Sequence, residues 1–243
     1  MSRSPVLRSL TLFSTQGDHP LQEDFILAKK ERGLFVIADG FGGGDAGGRA
    51  SKVACESVLG FLEKEAGDHD ATLPFVLRRY YSLAGNVLFN ALIHANRKVF
   101  EHNVSKTANF RGGSSVLAAF LDEDLFALAN IGGCSAWLMR EGLATELVAP
   151  RTYARLVDPF SVDPRPDEAI PLMAMGMTED LEPEVVEFRI RSGDWLLLQT
   201  DGVRAEIRDE LQRLQLESPA FDPEEFLRAR TFSDNSTFAF LRF

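Results

Sequence analysis

The stretch SSVLAAFLDEDLFALANIGGCSAWLMREGLATELV, residues 114–148, decides the fold class. Four apolar runs follow one another in it: Ser114–Leu121, Leu125–Ile131, Ala136–Met139 and Leu143–Val148. Only short separators part them: the acidic Asp122-Glu123-Asp124, the pair Gly132-Gly133, and Arg140-Glu141-Gly142. A parallel crossover needs a dozen residues or more, so separators this short predict consecutive antiparallel hairpins.

The pattern extends in both directions. Val6–Phe13, Phe25–Ala28 and Leu34–Ala38 read as strands before it, and Val185–Ile190, Trp195–Gln199 and Thr237–Phe243 after it. Apolar residues at helical spacing (Ala50, Val53, Ala54, Val58, Phe61, Leu62) mark one helix. A longer one is expected over about 73–103, with Leu73, Leu77, Tyr80, Ala84, Val87, Ala91, Ala95 and Val99 as its buried stripe. Glu206–Leu216 and Pro223–Arg230 read as two more. Residues 150–183 hold six of the 11 prolines and read as an irregular, flap-like segment. Strands and helices come in groups and do not alternate as βαβ. The expected fold is therefore α+β: a four-layer α/β/β/α sandwich of two antiparallel sheets flanked by helices. Residues 1–243 are expected to form a single domain.

Composition narrows the function. The chain has 243 residues, 45% of them apolar and 26% charged, as in an ordinary globular protein. Thirty-six Asp and Glu against 26 Lys and Arg give a formal charge of −10, which excludes a general nucleic-acid binder. Cys55 and Cys134 form no CxxC pair or zinc spacing and are expected to be small buried hydrophobes. The N-terminal MSRSPVLRSLTLF does not have the pattern of a signal peptide, and no apolar run is long enough to span a bilayer. A cytoplasmic location with no membrane partner is expected.

The chemistry points to carboxylates. Two apolar strands run into Asp-Gly: Leu34–Ala38 into Asp39-Gly40, and Trp195–Thr200 into Asp201-Gly202. Asp234 stands just before the last strand, and Glu23-Asp24 opens the second. If these strand ends share a rim, carboxylates crowded there cannot all stay ionised and bare. A hard divalent cation resolves the conflict, and the absence of His and Cys from the set disfavours zinc. Asp-Gly is also a common hairpin turn, although Asp39 leads into glycines and a helix. Gly42–Gly47 formally matches the dinucleotide-binding G-x-G-x-x-G, but Asp39 and Asp45 would set negative charge beside a pyrophosphate, and the hairpins deny the parallel sheet.

Six elements then resemble, in order and spacing, the metal-dependent protein phosphatase family (PPM, protein phosphatase type 2C) in its bacterial form. They are QEDF (Gln22–Phe25), ADGFGGGDAGG (Ala38–Gly48), RGGSS (Arg111–Ser115), ANIGGCSAWLMREG (Ala129–Gly142), SGDWLLLQTDGV (Ser192–Val203) and SDNSTFAFLRF (Ser233–Phe243). The resemblance implies a flanked β-sandwich that binds two Mn²⁺ or Mg²⁺ ions and hydrolyses phosphoserine and phosphothreonine in protein substrates. It assigns Glu23, Asp39 and the Gly40 carbonyl to one ion, and Asp39, Asp201 and Asp234 to the other. The resemblance further implies that Asp24 orients metal-bound water and that a metal-bridging hydroxide attacks phosphorus directly. Three positions depart from the family: His19 stands where an arginine usually grips phosphate, Gly44 where bacterial members carry a histidine, and Gly133 where an Asp serves a third metal. The resemblance thus leaves two functions, an active phosphatase and a pseudophosphatase that binds without turnover. His69, His94 and His102 are expected to be surface or helix residues without catalytic meaning.

Overall fold

The strands predicted from residues 114–148 all form, but they do not stay in one sheet. The computed structural model describes residues 5–65, 77–161, 165, 169–217 and 221–243. Its strands are β1 (Ser9–Thr15), β2 (Asp24–Lys29), β3 (Leu34–Gly42), β4 (Gly112–Asp122), β5 (Leu125–Ile131), β6 (Ser135–Arg140), β7 (Leu143–Val148), β8 (Glu184–Arg189), β9 (Trp195–Gln199) and β10 (Ser236–Arg242). Its helices are α1 (Ala46–Glu65), α2 (Leu83–Val104), α3 (Tyr153–Val157), α4 (Ala205–Glu217) and α5 (Pro223–Arg228). Strands in the order β1-β10-β9-β6-β7 make one antiparallel sheet, and β2-β3-β4-β5-β8 make the other.

Alternation along the strands sorts the apolar residues into three cores. On β3, Leu34, Val36 and Ala38 turn outward to α1 and α2, while Phe35 and Ile37 turn inward to the other sheet. The inner core gathers Leu117, Phe126, Leu128, Leu196, Leu198 and Leu241 from both sheets. The third core packs Trp195, Leu197, Phe238 and Phe240 beneath Leu211 of α4 and Phe226 of α5. These are the four layers expected, and full burial of each large side chain contributes about 1.5–3 kcal/mol.

Two expectations need correction. β4–β5 and β6–β7 are hairpins, but Gly132-Gly133 is not a hairpin turn: β5 lies in one sheet and β6 in the other. Gly132 has φ of +91°, and this turn carries the chain across the sandwich. The second helix starts at Leu83 rather than near residue 73, so Leu77 and Tyr80 lie before it and are 49% and 71% exposed. Ser82 caps it, its Oγ accepting from the Gly85 N–H at 3.1 Å, and Asn86 folds the preceding turn back by bonding Arg78, Tyr81 and Ser82. Leu73 and His69 lie outside the described residues. Ala84, Val87, Ala91, Ala95 and Val99 are buried as expected.

In the segment after Pro150, α3 and two isolated bridges, Thr152↔Pro171 and Ser114↔Met175, are the regular structure among the described residues. Two buried asparagines of α2 fasten its far end. Asn96 Nδ2 donates to the carbonyls of Thr178 and Glu179 at 3.0 Å, and Asn103 Nδ2 to those of Gly112 and Gly176. Among the described residues, no helix is long and apolar enough to cross a membrane.

Candidate metal centre

Both sheets deliver carboxylates to one rim of the sandwich. β2 and β3 run antiparallel with Asp24 directly opposite Asp39, so the Glu23-Asp24 pair and the Asp-Gly of β3 meet by register alone. β3 continues past Asp39 as far as Gly42, paired to β4 with Asp39 opposite Ser115. From the other sheet, Asp201 follows β9 and Asp234 precedes β10, and these strands are neighbours.

Asp24 joins the two sheets. It is buried, and its Oδ2 accepts a 2.8 Å bond from the hydroxyl of Thr200, whose Oγ1 in turn accepts from the Thr237 N–H at 2.9 Å. Glu23 is fixed through its backbone. Its N–H donates to Asn235 Oδ1 at 2.6 Å, and its carbonyl accepts from the Gly40 N–H at 3.1 Å and the Ser51 hydroxyl at 2.5 Å. Gly47 leaves the room that the Glu23 carboxylate occupies, because a Cβ there would collide with Glu23 Oε1.

Electrostatics show the cost of this crowding. Burial pushes Asp24 up to about 7, against the hydrogen bond from Thr200, and the charges of Asp201 and Asp234 push the same way as burial. Asp39 is driven well above the usual carboxylate range by burial and then by the charges of Asp201, Asp24 and Asp234. Desolvation of its carboxyl and the charge of Asp234 raise Asp201 to about 6, although the residue as a whole is exposed. Glu23 is raised by burial, against the opposing charge of His19.

A hard divalent cation fits these residues. Glu23 Oε1 and Asp24 Oδ1 are buried and have no hydrogen-bond partner. The donors are carboxylate and carbonyl oxygens, the set that Mg²⁺ and Mn²⁺ prefer. Among the described residues, no three His, Cys, Asp or Glu side chains already close around one point.

No protein-family model matches the chain. It is 25% identical over 193 residues to the serine/threonine protein phosphatase PstP of Mycobacterium tuberculosis, covering 75% of this chain but 34% of PstP. It is also 25% identical over 182 residues to a putative protein phosphatase 2C-type of Streptococcus pyogenes, covering 72% and 69%. The chain thus spans about a third of the length of PstP. The PPM Ser-Thr phosphatase MsPP of Mycobacterium smegmatis, solved with cacodylate, superposes with a TM-score of 0.75 at 23% identity, over 98% of this chain and 99% of that one. The catalytic domain of PstP with two manganese ions gives 0.69 at 23% identity, over 96% and 97%. The chain has the PPM fold and is similar in sequence to these phosphatases.

Within the PPM fold, the three departures are now concrete. His19 is half-buried and close enough to Glu23 for its charge to be felt there, with Nδ1 2.8 Å from the Leu21 carbonyl. Gly44 has φ of +63° in open surroundings, a conformation that a histidine adopts only with strain. Gly133 has room: a Cβ there would sit 3.6 Å from Ser115 Oγ and 3.8 Å from Asp201 Oδ2, in ordinary contact. Cys55 and Cys134 are buried, their thiols pushed far up by burial. His94 is half-buried and packs on Phe61 in α1, and His102 is exposed on α2.

Sequence reasoning missed Thr200, Thr237, Ser51 and Asn235, which hold the carboxylates in place. The signal for Thr200, Asn235 and Thr237 was present in TDG and SDNST, but their partners lie on distant segments; Ser51 stands in a helix with no such signal. It also left Arg204 aside. This arginine follows Asp201 by three residues and donates to Ser233 Oγ at 3.3 Å, beside Asp234.

Proposed function

We propose that the chain is a metal-dependent serine/threonine protein phosphatase, with residues 1–243 acting as one catalytic domain in the cytoplasm. The observation that carries this reading is the convergence of Glu23, Asp24, Asp39, Asp201 and Asp234 from both sheets, with buried oxygens that lack partners. The relatives point the same way: PstP is named a serine/threonine protein phosphatase, and its catalytic domain was solved with two manganese ions.

Glu23, Asp39 and the Gly40 carbonyl would hold one Mn²⁺ or Mg²⁺, and Asp39, Asp201 and Asp234 the second. Bound there, the ions supply acidified water and positive charge for the phosphoryl oxygens, which a chain of −10 charge lacks. Asp24 keeps one oxygen, Oδ1, that no donor reaches, and there it can orient water or take up a proton. Thr200 fixes its other oxygen and so aims the first. His19 and Arg204 border the rim from the two sides and meet the phosphoryl group of a phosphorylated protein. His19 offers one donor where a guanidinium offers a fork.

The test is hydrolysis of a small aryl phosphate and of a phosphothreonine peptide, each with Mn²⁺, with Mg²⁺ and with chelator. Turnover of both that chelator abolishes is expected. Metal binding without turnover of either substrate would make the chain a binding module instead.

A further inference from the structure

Asn235 precedes β10 and is 6% exposed, and its carboxamide has three partners. Oδ1 accepts from the Glu23 N–H at 2.6 Å, while Nδ2 donates to the carbonyls of Gln16 at 2.8 Å and Leu21 at 2.9 Å. These partners span the loop between β1 and β2, which carries His19 and Glu23 to the rim without strand pairing of its own. The loop's other ties to the rest of the chain include the Asp18 N–H to the Phe232 carbonyl at 3.0 Å, Gln22 Nε2 to Ser14 Oγ at 3.0 Å, and the bonds that the Glu23 carbonyl accepts from Gly40 and Ser51. Asn235 is also the chain neighbour of Asp234. One buried side chain therefore joins the segment bearing Glu23 to the segment bearing Asp234.

We propose that Asn235 is a positioning residue for the metal centre. It sets the separation of Glu23 from Asp234, so that a cation pair reaches ligands on both sheets at once. With the Glu23 carbonyl held by Gly40 and Ser51, the Asn235 bond to its N–H completes the grip on that backbone and leaves only the side chain free to turn. A planar carboxamide presents an acceptor and two donors from one head, and no other side chain of this size does. Aspartate keeps the shape and the acceptor. It has no donor, however, so the Gln16 and Leu21 carbonyls lose their partner and face a further negative charge.

The catalytic consequence rests on the phosphatase reading, but the metal consequence does not. The experiment compares the native chain with Asn235→Asp, Asn235→Ser and a destabilised control, Leu62→Ala. Leu62 is fully buried in α1 beside Leu34, at the opposite end of β3 from Asp39. Thermal midpoints are measured first, then Mn²⁺ affinity by calorimetry, then kcat and KM on an aryl phosphate. Both Asn235 variants should lose tenfold or more in Mn²⁺ affinity and in kcat, even where their midpoints match Leu62→Ala, which should keep both near native. A folded Asn235→Asp or Asn235→Ser with native affinity and kcat overturns the proposal. So does a Leu62→Ala that loses metal to the same degree, since the loss would then track stability alone. If the native chain binds Mn²⁺ but hydrolyses nothing, the phosphatase reading fails, and the affinity comparison still decides the role of Asn235.

Discussion

Asp39 faces the charges of Asp24, Asp201 and Asp234 from its place opposite Asp24, so the centre depends on it more than on any other carboxylate. Asp39→Asn should therefore abolish Mn²⁺ binding in calorimetry while the chain stays folded, because removing one of several repelling charges relieves the fold. His19 argues for the opposite kind of change. Its ring lies close to Glu23 but gives a phosphoryl group only one donor. His19→Arg should lower KM for an aryl phosphate by about tenfold, the worth of one charge-assisted hydrogen bond. An unchanged KM in the folded variant would show that position 19 does not face substrate. The adjacent glycines of the crossing turn should behave differently from each other. Gly133→Asp fits in ordinary contact near Asp201 and should raise the Mn²⁺ stoichiometry, whereas Gly132→Ala meets Ser115 at a φ of +91° and should lose roughly 1–3 kcal/mol in chemical denaturation. The carboxylates were legible because acidic residues at apolar strand ends have few reasons to be there. Asn235 and Thr200 were not, because a polar residue at a strand end is ordinary until its distant partner is known.

At the scale of elements, strand pattern was the reliable signal. Leu125–Ile131, Leu143–Val148 and Trp195–Gln199 form with the bounds that alternation and turn residues predict. What strand pattern does not carry is which sheet a strand joins: the separator Gly132-Gly133 is as short as a hairpin turn, yet it changes layer. Helix periodicity misled at the start of α2, where Leu77 and Tyr80 continue the spacing without being buried. The stop is a local polar device, Ser82 with Asn86, which competes with helix and wins. Both oxygens of Glu187 on β8 accept from the Ser82 N–H, tying this helix start to the sheet edge. Ser82→Ala should cost about 0.5–2 kcal/mol, read from the denaturation midpoint, with kcat unaltered because the cap lies away from the carboxylates.

For the whole molecule, the crowded rim predicts a pH dependence with a definite sign. Asp24 near 7, Asp201 near 6 and the raised Asp39 and Glu23 bind protons more readily in the folded chain than in the unfolded one. Stability of the chelated protein is thus fully present below the ordinary carboxylate range and falls as pH rises through about 7. His94, pushed down by burial, works the other way, but as a single group. The thermal midpoint in chelator should therefore be higher at pH 5.5 than at pH 7.5, and millimolar Mn²⁺ should raise the pH 7.5 value most, because binding favours the deprotonated site. A midpoint that rose with pH in chelator would contradict the carboxylate cluster.

The strand order has a consequence for how the protein is made. β10 is the last of these strands to be synthesised, yet it lies between β1, the first, and β9. Among the described residues β1 pairs with β10 alone, so it waits through the synthesis of some 220 residues for its partner, a pairing of the kind that makes folding slow. During that wait its backbone edge is open to other chains, a hazard that nascent proteins share with slow folders. Asp234 and Asn235 arrive with β10, so the closing of the sheet and the assembly of the centre are one event. A nascent chain arrested before Ser233 should accordingly be cut readily by protease within β1, and release of the full chain should protect it.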